Sequence, residues 1–333
     1  MSKSKIEWTD ETWNPVTGCT KVSQGCKNCY AEREWPRMAR LVPSYTGRAF
    51  TDVRMHADRI DKPLHWKRPR RIFVNSMSDL FHPDVPFEFI DKVLAVMALA
   101  HQHVFQVLTK RPERMREYLT AGDLTERVIR EAFRMDCEGG AWMNADHHIG
   151  GYKVMPLPNV WLGVSVEDQA TADERIPLLL QTPASVRWIS AEPLLCSVDL
   201  NRILVNPDRG FHISALHEQH DDCYYQSDAQ LDWVVVGGES GPNARPMNPQ
   251  WARNLRDQCA AAGVPFLHKQ NGEFSTPITE QHKSDFAEGK GFFGTLSLSG
   301  SFENRGNGVI RVGKKAAGRL LDGVLHDAYP EVK

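Results

Sequence analysis

Val160-Trp161-Leu162-Gly163-Val164-Ser165-Val166-Glu167 is the stretch that decides the fold class. Successive side chains of a strand alternate between its two faces. Val160, Leu162, Val164 and Val166 therefore share one face, and Trp161, Gly163, Ser165 and Glu167 share the other. The first face is wholly aliphatic and calls for a covering layer of helices. The second changes from bulky to small to charged as it nears its C-terminal end. A strand buried inside an open parallel sheet would be apolar on both faces, so this one lines something polar at one end only.

Other segments repeat the gradient. Val186–Glu192 puts Trp188, Ser190 and Glu192 on one face, and Asp232–Glu239 does the same with Trp233, Val235, Gly237 and Glu239. Arg71–Met77, Val104–Lys110 and Pro265–Gln270 are further strands, where parity groups Asn75 with Asp79, Gln106 with Lys110, and Leu267 with Lys269. Between the strands, Phe87–Ala100, Ala170–Leu180 and Pro249–Ala262 carry apolar residues at helical spacing, the last stopping at Gly263. Strand–helix alternation means βαβ units and a parallel sheet. Tryptophans at one end and polar residues at the other predict a (β/α) barrel with a Trp-filled floor and a polar cup, the end where such barrels place their active sites.

Six strands and a weaker one near Thr12–Val16 fall short of eight, so the expectation is a partial barrel of parallel strands with helices outside and long loop insertions. Residues 1–270 form the barrel, with a cysteine loop at 12–32, and 271–333 form a C-terminal extension packed on it. Residues 136–158, 201–230 and 271–318 interrupt the rhythm as long connections. His147, His148, His217 and His220 lie in the first two and read as surface histidines, since no spacing pairs them with cysteines.

Bulk composition narrows the class. Hydrophobic residues at 41% and charged residues at 25% describe a globular chain rather than a disordered one. A net charge of −2 provides no global basic field, so any nucleic-acid contact must come from local runs such as Lys62–Arg71 or Lys110-Arg111. No stretch is long and apolar enough to span a bilayer, and the N-terminus lacks a signal-peptide core, which leads to the expectation of a cytoplasmic protein with no membrane partner. Seven cysteines, an odd number with three clustered, argue against a disulfide framework. Cys137, Cys196, Cys223 and Cys259 are dispersed and read as free thiols.

Cys19, Cys26 and Cys29 are the cluster, spaced Cys-x6-Cys-x2-Cys immediately after the weak first strand. Soft thiolates select zinc, copper(I) or iron–sulfur clusters. Structural zinc wants four closed ligands, whereas three protein ligands leave one position open for chemistry. A zinc site would need a fourth ligand, with His56, His65 and Cys259 as candidates.

A cysteine loop after the first strand of a partial barrel resembles the radical S-adenosylmethionine (SAM) superfamily, whose usual motif is Cys-x3-Cys-x2-Cys. The chain is more closely similar to a phage-associated, three-cysteine-motif branch of it. The matching blocks include Trp13-Asn14-Pro15, Gly18-Cys19, Gly25-Cys26, Asn28-Cys29-Tyr30-Ala31-Glu32, Asn75-Ser76-Met77-Ser78-Asp79-Leu80-Phe81-His82, Leu108-Thr109-Lys110-Arg111-Pro112, Ala191-Glu192-Pro193, Gly237-Gly238-Glu239 and Gly318-Arg319-Leu320-Leu321-Asp322-Gly323. Two departures stand out: Asn28 occupies the usual aromatic position before the third cysteine, with Tyr30 after it, and Gly237-Gly238-Glu239 comes late for the family's amine-binding motif.

The resemblance implies a radical-SAM-type barrel in which Cys19, Cys26 and Cys29 hold a four-iron, four-sulfur cluster. The open iron would chelate SAM, and one electron from a donor such as flavodoxin or ferredoxin would cleave it to a 5′-deoxyadenosyl radical that abstracts hydrogen from substrate. In the polar cup, Lys110 is the expected partner of the SAM carboxylate, with Arg111 behind it. Ser165, Glu167, Ser190 and Glu192 offer acceptors. Tyr30, Asn75, Ser76, Ser78 and Asp79 complete the expected SAM contacts. Glu239 would line the substrate side, and Cys196 is a candidate hydrogen donor. The expected substrate is a modified thymine base in phage DNA, in an isomerisation of an aminoacyl-type adduct, the base being extruded into the pocket and Lys67–Arg71, Lys110-Arg111, Lys314-Lys315 and Arg319 meeting phosphates. A repair-type lyase or small-molecule radical enzyme is the runner-up. The alternative of another class is a non-catalytic metal-binding module serving a methyltransferase.

Overall fold

A computed structural model describes residues 4, 6–136, 155–217, 229–276, 284, 295–296, 302–303 and 309–331. Seven strands make one sheet: β1 (Glu11–Trp13), β2 (Arg71–Val74), β3 (Val104–Thr109), β4 (Val160–Ser165), β5 (Val186–Ala191), β6 (Trp233–Gly237) and β7 (Phe266–Gln270). Their order across the sheet is their order along the chain, and every neighbouring pair is parallel. Right-handed crossovers that always advance in one direction put their helices on one face of the sheet. The result is an α/β fold whose sheet curls into half a barrel flanked by helices. The helices are α1 (Tyr30–Leu41), α2 (Phe87–Leu99), α3 (Pro112–Leu119), α4 (Leu124–Asp136), α5 (Gln169–Leu180), α6 (Pro249–Ala262) and the short α7 (Lys314–Ala317).

Local chemistry sets these boundaries. The Asp168 carboxylate accepts the Thr171 N–H at 2.9 Å while the Thr171 hydroxyl oxygen accepts the Asp168 N–H, a reciprocal cap that starts α5. α6 opens on Pro249 and stops at Gly263, whose φ of +70° is the left-handed conformation glycine adopts without penalty. The weak strand expected at Thr12–Val16 divides in two. β1 joins the sheet beside β2, and Val16–Thr17 instead pairs antiparallel with Arg54–Met55. Pro15, with no N–H for a ladder, stands at the break.

The two faces sort as parity requires. Ile72, Val74, Phe105, Val107, Leu162, Val164, Ile189 and Val234 face the helices, where Ile90, Val93, Leu94 and Met97 of α2 cover part of them. The opposite face packs Phe73, Trp161, Trp188, Trp233, Val235 and Leu267 into a separate cluster. Trp8, from outside the sheet, completes it, with ring centres 5.2 Å from Trp188 and 4.6 Å from Phe73. Gly163 makes room for this floor: a Cβ there would lie 2.5 Å from the Trp188 ring. The tryptophans expected in the core are buried there.

Every strand but β7 ends earlier than its sequence segment. Ser76, Lys110, Glu167, Glu192 and Glu239 lie just past the hydrogen-bonded ladder, on the loops that follow. At Asn75 the cause is visible: φ of +58° turns the chain out of the sheet.

The segment after β7 returns to the barrel. Phe274–Ser275 pairs with Ile310–Arg311. Farther on, His268 N–H donates to His326 O at 2.9 Å and Trp233 Nε1 donates to Ala328 O at 2.9 Å. No helix among the described residues is long and apolar enough to cross a membrane. Cys137, His147, His148, His220 and Cys223 fall outside the described residues.

Candidate functional site

The cysteine loop crosses the C-terminal ends of the strands. It leaves Val16–Thr17 through Gly18, where φ is +93° and a Cβ would lie 2.3 Å from Asp52 O. The Cys19 N–H then donates to Phe50 O at 2.9 Å. A single turn of 3-10 helix spans Gln24–Cys26, and Cys29 is the residue before α1.

Residues from four strand ends hold this loop in place. Beyond β3, Arg111 donates from Nη2 to Thr20 O and Oγ1 at 3.0 and 3.1 Å, and its Nη1 lies 3.7 Å from Cys19 Sγ. Beyond β4, Glu167 accepts the Ser23 hydroxyl at 3.2 Å and presses so closely on Gly25 that a Cβ there would be 2.3 Å from Oε1. Beyond β6, Glu239 accepts the Asn28 amide at 3.0 Å. Beyond β2, Ser76 O accepts the Tyr30 hydroxyl.

Each anchor is itself braced. Asp79 accepts Thr109 Oγ1 at 2.7 Å, the Phe81 and Lys110 N–H groups at 3.0 and 3.1 Å, and Arg111 Nη1 at 3.0 Å. Glu167, fully buried, is paired with Arg175 at 3.2 Å and Lys110 at 3.4 Å. Arg245 grips Glu239 with its side chain at 2.6 and 2.9 Å and with its backbone N–H at 2.7 Å. Burial works to raise the Glu239 pKa, but the bonds from Arg245 and Asn28 outweigh it and hold the carboxyl below its ordinary range. The Cys19 thiol is pushed up to about 11, by burial first and the Asp79 charge second.

Beneath the loop lies a cavity of about 500 Å³. Cys19, Cys26 and Cys29 all line it, as do Tyr30, Asn75, Ser76, Ser78, Asp79, Lys110, Ser165, Ser190, Glu192 and Glu239 from the sequence reading. Trp8 and Phe73 reach it from the floor. Two expected residues are placed elsewhere. Glu167 does not line the cavity, because its carboxylate is spent under the loop on Ser23, Lys110 and Arg175. Cys196 does not line it either; it lies five residues past the end of β5, and burial raises its thiol pKa.

Other expected roles change in kind. Lys110 lines the cavity but already pairs with Glu167, and Asp79 and Glu239 spend their oxygens on the braces just described. The Ser78 hydroxyl donates to Val16 O at 2.8 Å, and Ser76 Oγ bonds Asn14. Glu192 is held by Lys269 Nζ at 2.7 and 2.8 Å. By contrast, the Ser165 and Ser190 hydroxyls carry no bond to the described residues. Asn75 Nδ2 and Gln270 Oε1 are buried without a partner among the described residues.

Gln270 and Glu7 also line the cavity and were not expected there from sequence; so do Asn28, read only as a departure from the family motif, and Lys314, read as a phosphate contact. Gln270 has the wrong parity for the cup. It reaches the wall because the β6–β7 register slips between Val236 and Gly237, a bulge that strand periodicity alone does not announce. Glu7 and Lys314 pair at 3.6 Å across almost the whole chain length, a contact without a local pattern.

The donor set suits a soft metal centre. All three cysteines are free, half-buried and line the same cavity, whose size is in the usual range for cofactor sites. Among the described residues no three His, Cys, Asp or Glu side chains are already drawn together as a metal site. The fourth ligands considered for zinc do not line the cavity: His56 bonds Thr17 Oγ1 at 2.8 Å, His65 bonds Asp61, and Cys259 is buried in α6.

The family model described as "Protein of unknown function (DUF5131)" matches residues 3–330. No curated protein and no solved structure matches the chain.

Proposed function

We propose, for a chain that belongs to the DUF5131 family, that it is a radical SAM enzyme. The observation that carries the reading is that Cys19, Cys26 and Cys29 all line one cavity at the C-terminal ends of a half-barrel's strands. Cys19, Cys26 and Cys29 would hold a four-iron, four-sulfur cluster. Bound there, it would supply the electron that cleaves SAM to a 5′-deoxyadenosyl radical.

The chain's own residues bind, orient and exclude water. Ser165 and Ser190 offer hydroxyls to the ribose or the methionine head. Asn75 Nδ2 and Gln270 Oε1 supply a buried donor and acceptor that have no partner among the described residues. Lys110 meets a carboxylate while keeping its pairing with Glu167. The tryptophan floor closes the far end to water.

The substrate we propose is a modified thymine base in DNA, isomerised at an aminoacyl-type group. The geometry revises how DNA would approach. Arg71 begins β2, at the floor end, where Arg70 pairs with Glu11 and Arg71 with Asp10. Lys67–Arg71 therefore cannot serve the mouth. Arg33 and Lys314 line the cavity, and Lys27 is exposed between two of its cysteines, so these are the cations that would meet phosphates.

Anaerobic loading with iron and sulfide tests the proposal. The loaded protein should be brown and, on reduction, convert SAM to 5′-deoxyadenosine and methionine, whereas Cys26→Ala should do neither. A colourless protein that leaves SAM intact sinks it. For the substrate, nucleosides from modified phage DNA treated with the reduced protein should show an isomerised thymidine by mass spectrometry; an unchanged profile rejects the DNA reading alone.

A further inference from the structure

We propose that Arg111 sets the reduction potential of the metal centre, acting as a positioning residue through Cys19; the inference rests on the reading of the three cysteines as cluster ligands. Arg111 is only 9% exposed, and its guanidinium is divided between two tasks. Nη2 holds the loop backbone at Thr20, and Nη1 lies between Asp79 Oδ2 at 3.0 Å and Cys19 Sγ at 3.7 Å. Its own backbone is tied as well, with the Arg111 N–H donating to Thr109 Oγ1 at 2.9 Å. Among the described residues, Cys19 has the only one of the three sulfurs that meets a side-chain N–H.

A clamp on the loop would need only the Thr20 contacts. The sulfur contact does something else. When a cysteine-bound cluster takes one electron from an external donor, it gains one negative charge. An N–H aimed at a ligand sulfur, with a positive charge behind it, stabilises that added charge and raises the potential. The effect is strengthened in a site shielded from water. Asp79 opposes it. Its carboxylate carries donors from Thr109, Phe81, Lys110 and Arg111, so it cannot swing away, and its charge offsets part of the guanidinium's. Arg111 and Asp79 thus act on the same sulfur with opposite sign, as partners outside the ligand set commonly do.

The test compares wild type with Arg111→Gln, Arg111→Lys and Asp79→Asn after anaerobic reconstitution. Iron and sulfide are counted per chain, and the midpoint potential of the loaded fraction is read by electron paramagnetic resonance during a mediated titration. Arg111→Gln should shift the potential to more negative values. Arg111→Lys keeps the charge but loses the fork, so its shift should have the same sign and be smaller. Asp79→Asn should shift it to less negative values. A merely structural clamp would lower iron content and leave the potential of the loaded fraction unchanged, which would overturn the proposal. Should Arg111→Gln fail to fold or load, unchanged potentials in both other variants overturn it equally. A wild-type chain that takes up no iron overturns the cluster reading itself, a result distinct from either.

Discussion

At Gly25 one missing carbon determines where Cys26 can stand. A Cβ there would lie 2.3 Å from Glu167 Oε1, and Glu167 cannot retreat because Arg175, Lys110 and Ser23 hold it from three sides. Glycine in Gly25-Cys26 is therefore a demand of close approach rather than of backbone angle. Gly25→Ala must push the loop outward and carry Cys26 with it. The expected outcome is a loss of metal affinity of about 10–100-fold, the range typical of disturbed support around a metal ligand. The melting temperature of the metal-free chain should stay near wild type, since the loop lies over the barrel rather than in its core. Iron uptake at limiting iron, set beside a thermal melt, checks both halves; wild-type uptake would show that the loop does not need this contact. The same residue scale shows what sequence conveyed and what it withheld. Parity brought Lys110, Glu192 and Glu239 to one end of the barrel, where they are found. Their partners were not legible: Glu239 is spoken for by Arg245 and Asn28, and nothing periodic joins position 28 to position 239.

Among the elements, β7 departs furthest from a simple reading. Its residues alternate as expected through Leu267, then the register slip against β6 carries Gln270 into the cavity. One side of β7 also takes up the tail, through the His268 N–H bond to His326 O and the bridge between Leu267 and Asp327. The three helices read from sequence, at 87–100, 170–180 and 249–262, have nearly the expected ends, because caps and glycine stops act within a few residues of where they are written, whereas α1, α3 and α4 were not read. Strand ends were less legible, since the residues that leave the ladder do so to meet a loop encoded elsewhere. The burial of β7 has a measurable consequence. His268 has no exposed surface, and burial is the chief cause that lowers its pKa from 6.5 to about 4. Its stabilising contribution is full above pH 6.5. As pH falls from there towards 4, the unfolded chain takes up a proton that the folded chain refuses, so stability drops. Between pH 7 and pH 5 this residue should cost about 2 kcal/mol of stability, at about 1.4 kcal/mol per pH unit below 6.5. His56, lowered to about 4 mainly by burial, adds in the same direction. Denaturant melts at both pH values should therefore show a smaller drop for His268→Gln, which keeps a hydrogen-bonding end for Asn271, than for wild type. Equal drops would mean that His268 is already protonated in the folded chain at pH 5.

For the whole molecule, the decisive fact is that the sheet advances in one direction and stops at seven strands. A closed barrel of eight has no edge strands; this half-barrel has two, β1 and β7, and the tail pairs with part of β7. Strand count and the Trp gradient were legible in the sequence. The means of closing the seam were not, because they join the first residues to the last. Trp8 fills the inner face from the N-terminal side, and the tail returns from the C-terminal side to set the Tyr329 ring 5.2 Å from Trp233. Arg71, at the start of β2, covers Tyr329 with its guanidinium 4.1 Å from the ring centre. Tyr329 thus sits between β2 and β6, strands far apart in the sheet, and joins them where no ladder can. A ring sandwiched between a tryptophan and an arginine contributes packing area together with aromatic and cation–π attraction. Tyr329→Ala should cost about 2 kcal/mol and lower the melting temperature, in line with truncation of a half-buried aromatic. Tyr329→Phe should stay near wild type, because the hydroxyl's bond to Glu7 O is long, at 3.4 Å, and the Arg71 guanidinium it also meets keeps its place over the ring. Both variants should load iron normally, since Tyr329 lies at the floor end while the cysteines lie over the cup. A Tyr329→Ala chain that melts at the wild-type temperature would show that the seam is closed without the tail, and one that loses its metal would show that floor and cup are coupled through the tryptophans.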